Sequence, residues 1–438
     1  MNELARAHHT APLDPTSIAA IEADGLRVHR VDDADPVQVA AWQDAVARGF
    51  LDGERNEEHH RAFFERGAYR RKLGVYDNQA AHPETPVATF ASWAVELTVP
   101  GGAMPVCAIS AVTVAPTHRR RGLLRELMAG ELRVAASLGL PAAALTVSEA
   151  GIYGRFGFGP AAFAASWTIR TRRAGWIGPI APGRIDFVSR ERARGLVEPL
   201  HERVRRTSPG EIAMPGGHWD RFLGTQPGAE HADQRRVLQY RSPDGEVDGL
   251  ALYSVKENED DYSESFLDVA LLLAATADAY AGLWRFLLSM DLIGTIRASE
   301  LSIDEPLRWM IADQRAATVT VSDHHYVRVL DVPAALAARR YGAADTIVLE
   351  VDDPLGFADG RFTLTTDAVG KAAVVASADA VPDGALIARL GVTELSAMLL
   401  GGVSPATLVL AGRVVTDHPD RLVRVFAGDT APRLSFWY

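Results

Sequence analysis

Cysteine is nearly absent from the 438 residues: Cys107 stands alone. No disulfide can form within the chain, which fits a reducing compartment, and a cytoplasmic location is expected. The opening MNELARAHHTAPLDP has no apolar run and carries Glu3 early, so no signal peptide is expected. Unbroken apolar runs are missing as well. Residues 97–118 and 395–412 are uncharged and long enough to span a membrane. Pro100, Gly101, Gly102, Pro105 and Pro116 interrupt the first, and Gly401, Gly402, Ser404 and Pro405 the second. Those breakers predict strands and short helices of a folded core. Positive charge is in deficit, with 45 Lys and Arg against 56 Asp and Glu, a net of −11. That balance argues against nucleic acid or an anionic membrane as partner and suits a cationic ligand. Metal-binding spacing is missing too. The pairs His8-His9, His59-His60 and His324-His325 lack a pattern such as His-Glu-x-x-His, GEVDG is not a calcium loop, and no metal is expected.

What is present is a globular composition, 47% hydrophobic and 23% charged, in a chain long enough for two or three domains. Periodicity predicts an α/β (α+β) protein. Residues 1–25 read as a loose leader. Residues 26–180 read as a first domain. It has helices at PVQVAAWQDAVARGF and EEHHRAFFERGA, strands at KLGVYD, PVATFASWAVEL and 106–114, and a helix of about 20 residues after an arginine-rich turn. A strand at 141–148, a short helix at 149–157 and the strand FAASWTIRTR complete it. Residues 181–318 repeat the order of elements, including a hairpin turning at 242–245, and read as a divergent copy. Where the first copy has three arginines and a glycine, the second has AATADAYAG, without positive charge. Residues 319–438 hold a strand–helix pair, three strands (TIVLEVDD, GRFTLTTD, KAAVVAS) and short helices before the apolar ending LSFWY.

The stretch AVTVAPTHRRRGLLRELM carries the chemistry. A strand breaks at Pro116, Arg119, Arg120, Arg121 and Gly122 follow, and an amphipathic helix begins. The first turn of a helix leaves backbone N–H groups without partners and carries partial positive charge, so it accepts a phosphate. Gly122 permits close approach, and the arginines with Arg125 add charge-assisted hydrogen bonds. Three arginines at a helix start are commonly a solvated surface, but the strand before and the helix after favour a pyrophosphate cradle. A Walker loop is excluded because no Gly-Lys-Ser/Thr follows, and the dinucleotide pattern Gly-x-Gly-x-x-Gly is absent.

The window at 119–124, Arg-Arg-Arg-Gly-Leu-Leu, resembles the coenzyme-A motif Arg/Gln-x-x-Gly-x-Gly/Ala of the GNAT superfamily of N-acetyltransferases, with Leu124 departing at the last position. The longer strings VAPTHRRRGLLRELM and SEAGIYGRFGFGPA resemble the Eis (enhanced intracellular survival) branch, which carries leucine there. The resemblance spans essentially the whole chain. It implies tandem GNAT-like domains, the first active and the second degenerate, and a C-terminal sterol-carrier-protein-like domain.

It further implies acetyl-coenzyme A as cosubstrate, held by Val112, Thr113 and Val114 on the strand and by Arg119, Arg120, Arg121, Gly122, Leu123, Leu124 and Arg125 at the turn, with Ser148 near the thiol. Tyr153 is implied as general acid toward the departing thiolate, and the main-chain carboxylate of Tyr438 as general base. Phe50, Asp52, Asp323 and Trp437 are implied in the pocket for a cationic amine: an aminoglycoside, a polyamine or a lysine side chain. A homo-hexamer is implied as the assembly. Cys107, in an apolar run without a histidine beside it in sequence, is expected to be structural, and transfer to be direct. The alternatives are a non-catalytic acyl-coenzyme-A sensor, which needs neither Tyr153 nor a free terminus, and a lipid-binding scaffold resting on the C-terminal domain.

Overall fold

A computed structural model describes residues 2–227, 229, 231–376 and 381–438. They form two compact units: residues up to 162 with 325–429 and 438, and residues 163–324 with 430–437. The first 25 residues are not a loose leader. Met1 lies outside the described residues, and the remainder forms helices α1 (Glu3–Thr10) and α2 (Pro15–Ala23), capped by the Asn2 and Asp14 side chains. Charge pins them down. Buried His8 meets Glu131 at 3.2 Å, and the Arg133 guanidinium forks onto Asp14 at 2.7 and 2.9 Å.

Strand β1 (Arg27–Arg30), helices α3 (Pro36–Gly49) and α4 (Glu57–Arg66), strands β2 (Arg71–Tyr76), β3 (Ala88–Val99) and β4 (Gly102–Val114), helix α5 (Leu123–Ser137) and strand β5 (Ala142–Thr146) follow. Strands β1 to β4 pair antiparallel in succession, and β4 pairs parallel with β5. Helix α5 has 15 residues instead of about 20 because Leu138 closes it and Gly139, at φ 73°, turns the chain away. Two single 3-10 turns, Ala150–Ile152 and Gly154–Phe156, stand where a short helix was expected. Strand β6 (Gly159–Arg170) and helix α6 (Thr171–Ala174) come next. Phe90, Ile109, Leu127, Met128, Leu132, Leu145 and Phe158 form the heart of this core.

The second unit runs β7 (Arg184–Val188), α7 (Arg190–Arg205), α8 (Gly216–Leu223), β8 (Arg236–Arg241), β9 (Val247–Lys256), β10 (Ser265–Ala274), α9 (Ala277–Leu288) and β11 (Ile293–Leu301). The succession repeats that of β1 to β5, and so do the pairings: three antiparallel and then one parallel, β10 with β11. The internal repeat is therefore topological. The hairpin between β8 and β9 turns at Gly245, φ 92°, with Ser242 N–H donating to Glu246 O at 2.9 Å.

The strand after each fifth strand is exchanged. β6 pairs with β11 through residues 165–170, and residues 325–329 of β12 (Ala317–Val329) pair with β5. The domain boundary expected at 319 thus falls within a strand.

The remaining elements are α10 (Val332–Ala337), β13 (Asp345–Asp352), β14 (Gly360–Thr366), β15 (Ala372–Ala376), β16 (Leu386–Gly391), α11 (Val392–Met398), α12 (Pro405–Leu410), β17 (Val414–Val415) and α13 (Pro419–Phe426). Their sheet has the order β15-β14-β13-β16-β17. The expected strand KAAVVAS is β15, and its last residue, Ser377, lies outside the described residues. Among the described residues no helix is long and apolar enough to cross a membrane.

Helix α11 is buried along its length and lies against the start of β6. A Cβ on Gly159 would stand 2.1 Å from the Thr393 carbonyl oxygen and 2.9 Å from Ala397 N, both rigid backbone atoms. Gly159→Ala should therefore destabilise the protein by about 1–3 kcal/mol, read as a lowered urea midpoint. An unchanged midpoint would show that the two elements do not press together there.

Candidate functional site

Strands β4 and β5 are joined only from Val106↔Ala142 to Ile109↔Leu145. Beyond that, β4 continues to Val114 paired with β3 alone, Thr89 opposite Thr113 and Ala88 opposite Val114. The register shifts between Thr89 and Ala91, and Ala111 there has φ 51°, a bulge that re-aims the following residues. Residues 112–114 thus have one edge without a ladder partner among the described residues, and such backbone groups can take an extended ligand as an added strand. The Thr113 side chain is spent elsewhere: it is buried, bonded to Thr89 Oγ1 at 2.7 Å and pressed by Gly49 of α3. Val112 and Val114 are half-buried against the first core.

The arginine turn follows this edge. Arg120 at φ 65° and Gly122 at φ 79° are both left-handed, and Gly122 caps α5 with no side-chain acceptor. Alternation of this kind turns successive N–H groups inward as an anion nest. A Cβ on Gly122 would meet only Arg125, at 3.4 Å. The arginines divide into two kinds. Arg119 and Arg120 are exposed and have no ion-pair partner among the described residues. Arg121 instead donates to the Asp24 carboxylate at 2.6 Å and the Asp24 carbonyl at 2.8 Å, tying the turn to the end of α2, while Arg125 pairs with Glu126 at 2.8 Å. Leu123 is buried and Leu124 half-buried, so both anchor the helix start in the core.

The equivalent helix start in the second unit is closed. Thr276 Oγ1 accepts from Ala279 N at 3.2 Å, and Asp278 adds negative charge. An anion has no place there.

At the C-terminal end of β5 stand the groups able to move protons. Tyr153 is half-buried between the two 3-10 turns, its ring edge-on to Phe158 with centroids 6.1 Å apart. Burial, reinforced by the Glu149 charge, pushes its phenol above the ordinary tyrosine value, so it stays protonated through the neutral range. Ser148 is exposed at the bend after β5. Thr146, the last residue of β5, donates its hydroxyl to the main-chain oxygen of Tyr438 at 3.1 Å. The Tyr438 phenol bonds His325 Nε2 at 2.8 Å, and its ring meets Trp93 edge-on at 5.3 Å. Burial also holds that phenol protonated, well above its ordinary value. Thr146 and Trp93 were not singled out in the sequence, and His325 was named there only in a histidine pair without metal-ligand spacing; the fold places it opposite Thr146 across the ladder.

The residues expected around an amine lie in different units. In the first, Phe50 closes α3 and is 46% exposed, while Asp52 pairs with Arg55 at 2.7 Å. In the second, Asp323 lies on β12, and Trp437 donates its indole N–H to Glu300 at 3.1 Å with its ring against His324. Glu300, at φ 51°, was not singled out in the sequence.

Cys107, without a histidine beside it in sequence, has one in space: His8 Nε2 lies 3.6 Å from its sulfur. Glu131 completes a trio of metal-ligand types, but its carboxylate already takes Ser92 Oγ at 2.6 Å and Arg71 at 3.2 Å. Burial pushes the Glu131 carboxyl up, and its bonds to His8, Arg71 and Ser92 outweigh that and hold it ionised. Burial and the Glu131 charge push the Cys107 thiol up, so it is neutral and a poor acetyl carrier. With the Arg71 guanidinium neutralising the carboxylate, the trio works as a hydrogen-bonded clamp joining α1, β4 and α5.

The acetyltransferase (GNAT) domain family matches residues 30–161 and, through a second description of the same domain, 210–329; the sterol carrier protein domain family matches 332–435. An uncharacterized N-acetyltransferase of Streptomyces avermitilis is 38% identical over 410 residues, covering 88% of this chain and 93% of its own length. N-acetyltransferase Eis of Mycobacterium tuberculosis is 35% identical over 353 residues, covering 78% and 83%. The crystal structure of Eis1 from Mycobacterium abscessus is similar with a TM-score of 0.77 and 26% identity, covering 94% of this chain and all of that one.

The division among the arginines is testable by calorimetry with coenzyme A. Arg119→Ala and Arg120→Ala should each weaken binding about tenfold, the loss of a charged hydrogen bond, and more so at low salt. Arg121→Ala should mainly lower thermal stability, by freeing Asp24. Equal binding losses for all three would mean that the Asp24 contact does not set Arg121 apart.

Proposed function

The chain belongs to the Eis family of GNAT N-acetyltransferases, acyltransferases that use acetyl-coenzyme A, and we propose that it acetylates cationic amines by direct transfer. The acceptors we propose are aminoglycosides, polyamines and lysine side chains. One observation carries the mechanism: Thr146 holds a main-chain oxygen of Tyr438 at the end of β5 from which the Tyr153 turn departs.

The cosubstrate supplies an activated acetyl thioester. Arg119, Arg120 and the uncapped N–H groups at 122–124 bind its diphosphate, with Leu123 and Leu124 fixing the turn from below. The free edge at Val112 and Val114 orients the pantetheine arm as an added strand, and the Val112 N–H polarises the thioester carbonyl. The Tyr438 carboxylate takes a proton from the acceptor ammonium, directly or through water, and Tyr153 gives its proton to the departing thiolate. The amine nitrogen bonds the thioester carbon as the C–S bond breaks, and the former ammonium loses two protons in all. The one taken by Tyr438 passes to solvent, and the one shed as the intermediate collapses restores Tyr153 after it has protonated the thiolate, so one proton is released per turnover. Ser148 supports the thiol side. Asp52 and Asp323, with Phe50 and Trp437 as apolar walls, favour a cationic acceptor, as does the net charge of −11. We place the enzyme in the cytoplasm as a homo-hexamer, which light scattering of the native protein reads directly.

Thiol release from acetyl-coenzyme A with tobramycin or spermine as acceptor tests the activity. Binding without release would instead mark a sensor. Tyr153→Phe should lower kcat by about 10²–10⁴-fold with coenzyme binding intact. Extending the chain past Tyr438 by a Gly-Ser dipeptide should abolish turnover, and full activity of the extended chain would remove Tyr438 as base. Because the folded Tyr153 pKa is raised, its acid form is lost only as pH rises through that higher value. The kcat profile should therefore show no tyrosine limb on the alkaline side below the ordinary value of about 10.

A further inference from the structure

Arg328, in β12, is fully buried, and its guanidinium makes contacts in three directions. Nη2 forks onto both carboxylate oxygens of Asp353 at 2.7 Å, Nη1 donates to the Val329 carbonyl, and Nε donates to the Phe156 carbonyl at 2.7 Å. Asp353, just beyond β13, is itself held: it accepts the N–H of Leu355 at 3.1 Å and of Ala358 at 2.8 Å. The Phe357 ring covers the guanidinium, its centroid 5.4 Å from Cζ. Phe156 ends the turn that starts at Tyr153. Its N–H donates to the Tyr153 carbonyl at 3.0 Å, and the Phe158 N–H donates to the same oxygen at 3.4 Å. Between them Gly157, at φ 84°, leaves the space Arg328 fills, since a Cβ there would stand 2.6 Å from Nε.

A single planar group thus joins the sterol-carrier-like part of the chain to the backbone on which Tyr153 is mounted. A buried guanidinium needs a partner for its charge, and Asp353 supplies it. The Phe156 bond is not needed for that purpose, and it fixes the height of the turn. We propose that Arg328 and Asp353 are positioning residues that set the Tyr153 phenol against the departing thiolate, making the sterol-carrier-like domain a working part of the transfer site. The proposal rests on Tyr153 being the general acid.

The experiment measures kcat and the KM for acetyl-coenzyme A in Asp353→Asn and Arg328→Lys, each with Tyr153 present and in a Tyr153→Phe background. Lysine offers a single point of donation and cannot fork onto Asp353 while reaching Phe156. With Tyr153 present, kcat should fall about 100-fold, as for a reacting group displaced by an ångström, and KM should stay within about twofold. In the Tyr153→Phe background the same changes should cost no more than about twofold, because the acid they position is gone. Equal losses in both backgrounds, or an unchanged kcat, would overturn the proposal. Tyr153→Phe without effect on its own would instead overturn the reading of the acid. Should either single variant fail to fold, Arg328→Met with Asp353→Leu leaves no unpaired buried charge. That pair must give the same background-dependent loss for the proposal to stand.

Discussion

The parallel ladder between β4 and β5 ends at Ile109 and Leu145, and the geometry of the proposed site depends on that early end. Had the strands stayed paired, the backbone of 112–114 would be spent on β5. Instead the bulge at Ala111 carries β4 away, and each arm of the opening leads into one part of the proposed site. From β4 the chain runs to the uncapped helix start at Gly122, suited to a diphosphate. From β5 it runs to Tyr153, and Thr146 at that strand's end holds Tyr438. An extended thioester cosubstrate needs both ends of such a slot at once.

The second unit shows what the fold does without the chemistry. Its strands repeat the same pairings, including the parallel β10–β11 ladder. The helix that follows is capped by Thr276 and carries Asp278 in its first turn. A side-chain cap is worth about 1 kcal/mol to a helix. The first copy forgoes that cap at Gly122, whereas in the second Thr276 supplies it.

Two clusters of buried charge join segments distant in sequence. Glu131, Arg71 and His8 bind the N-terminal helices to β2 and α5, and Arg328 with Asp353 binds the end of β13 to the turn after β5. Ion pairs of this kind add little net stability, because burial of each charge offsets their attraction. Removal of one partner is costly, and the geometry is accordingly narrow. That suits the positioning role proposed for Arg328 and Asp353.

The residues themselves determined the strand, arginine turn and helix start from 106 to 123, the turn at Tyr153 and the repeat of the element order. Each depends on conformations set within a few residues: a periodicity, a proline, a glycine at positive φ. Tertiary structure decided the rest. Residues 2–25 are held to the first unit where Arg133 reaches Asp14 across 119 positions, and Arg121 is tied to the end of α2 because Asp24 lies within its reach. Thr146 meets Tyr438 across 292 positions, and β6 and β12 exchange places. No local preference encodes such partners, because packing selects them only after separate elements have come together.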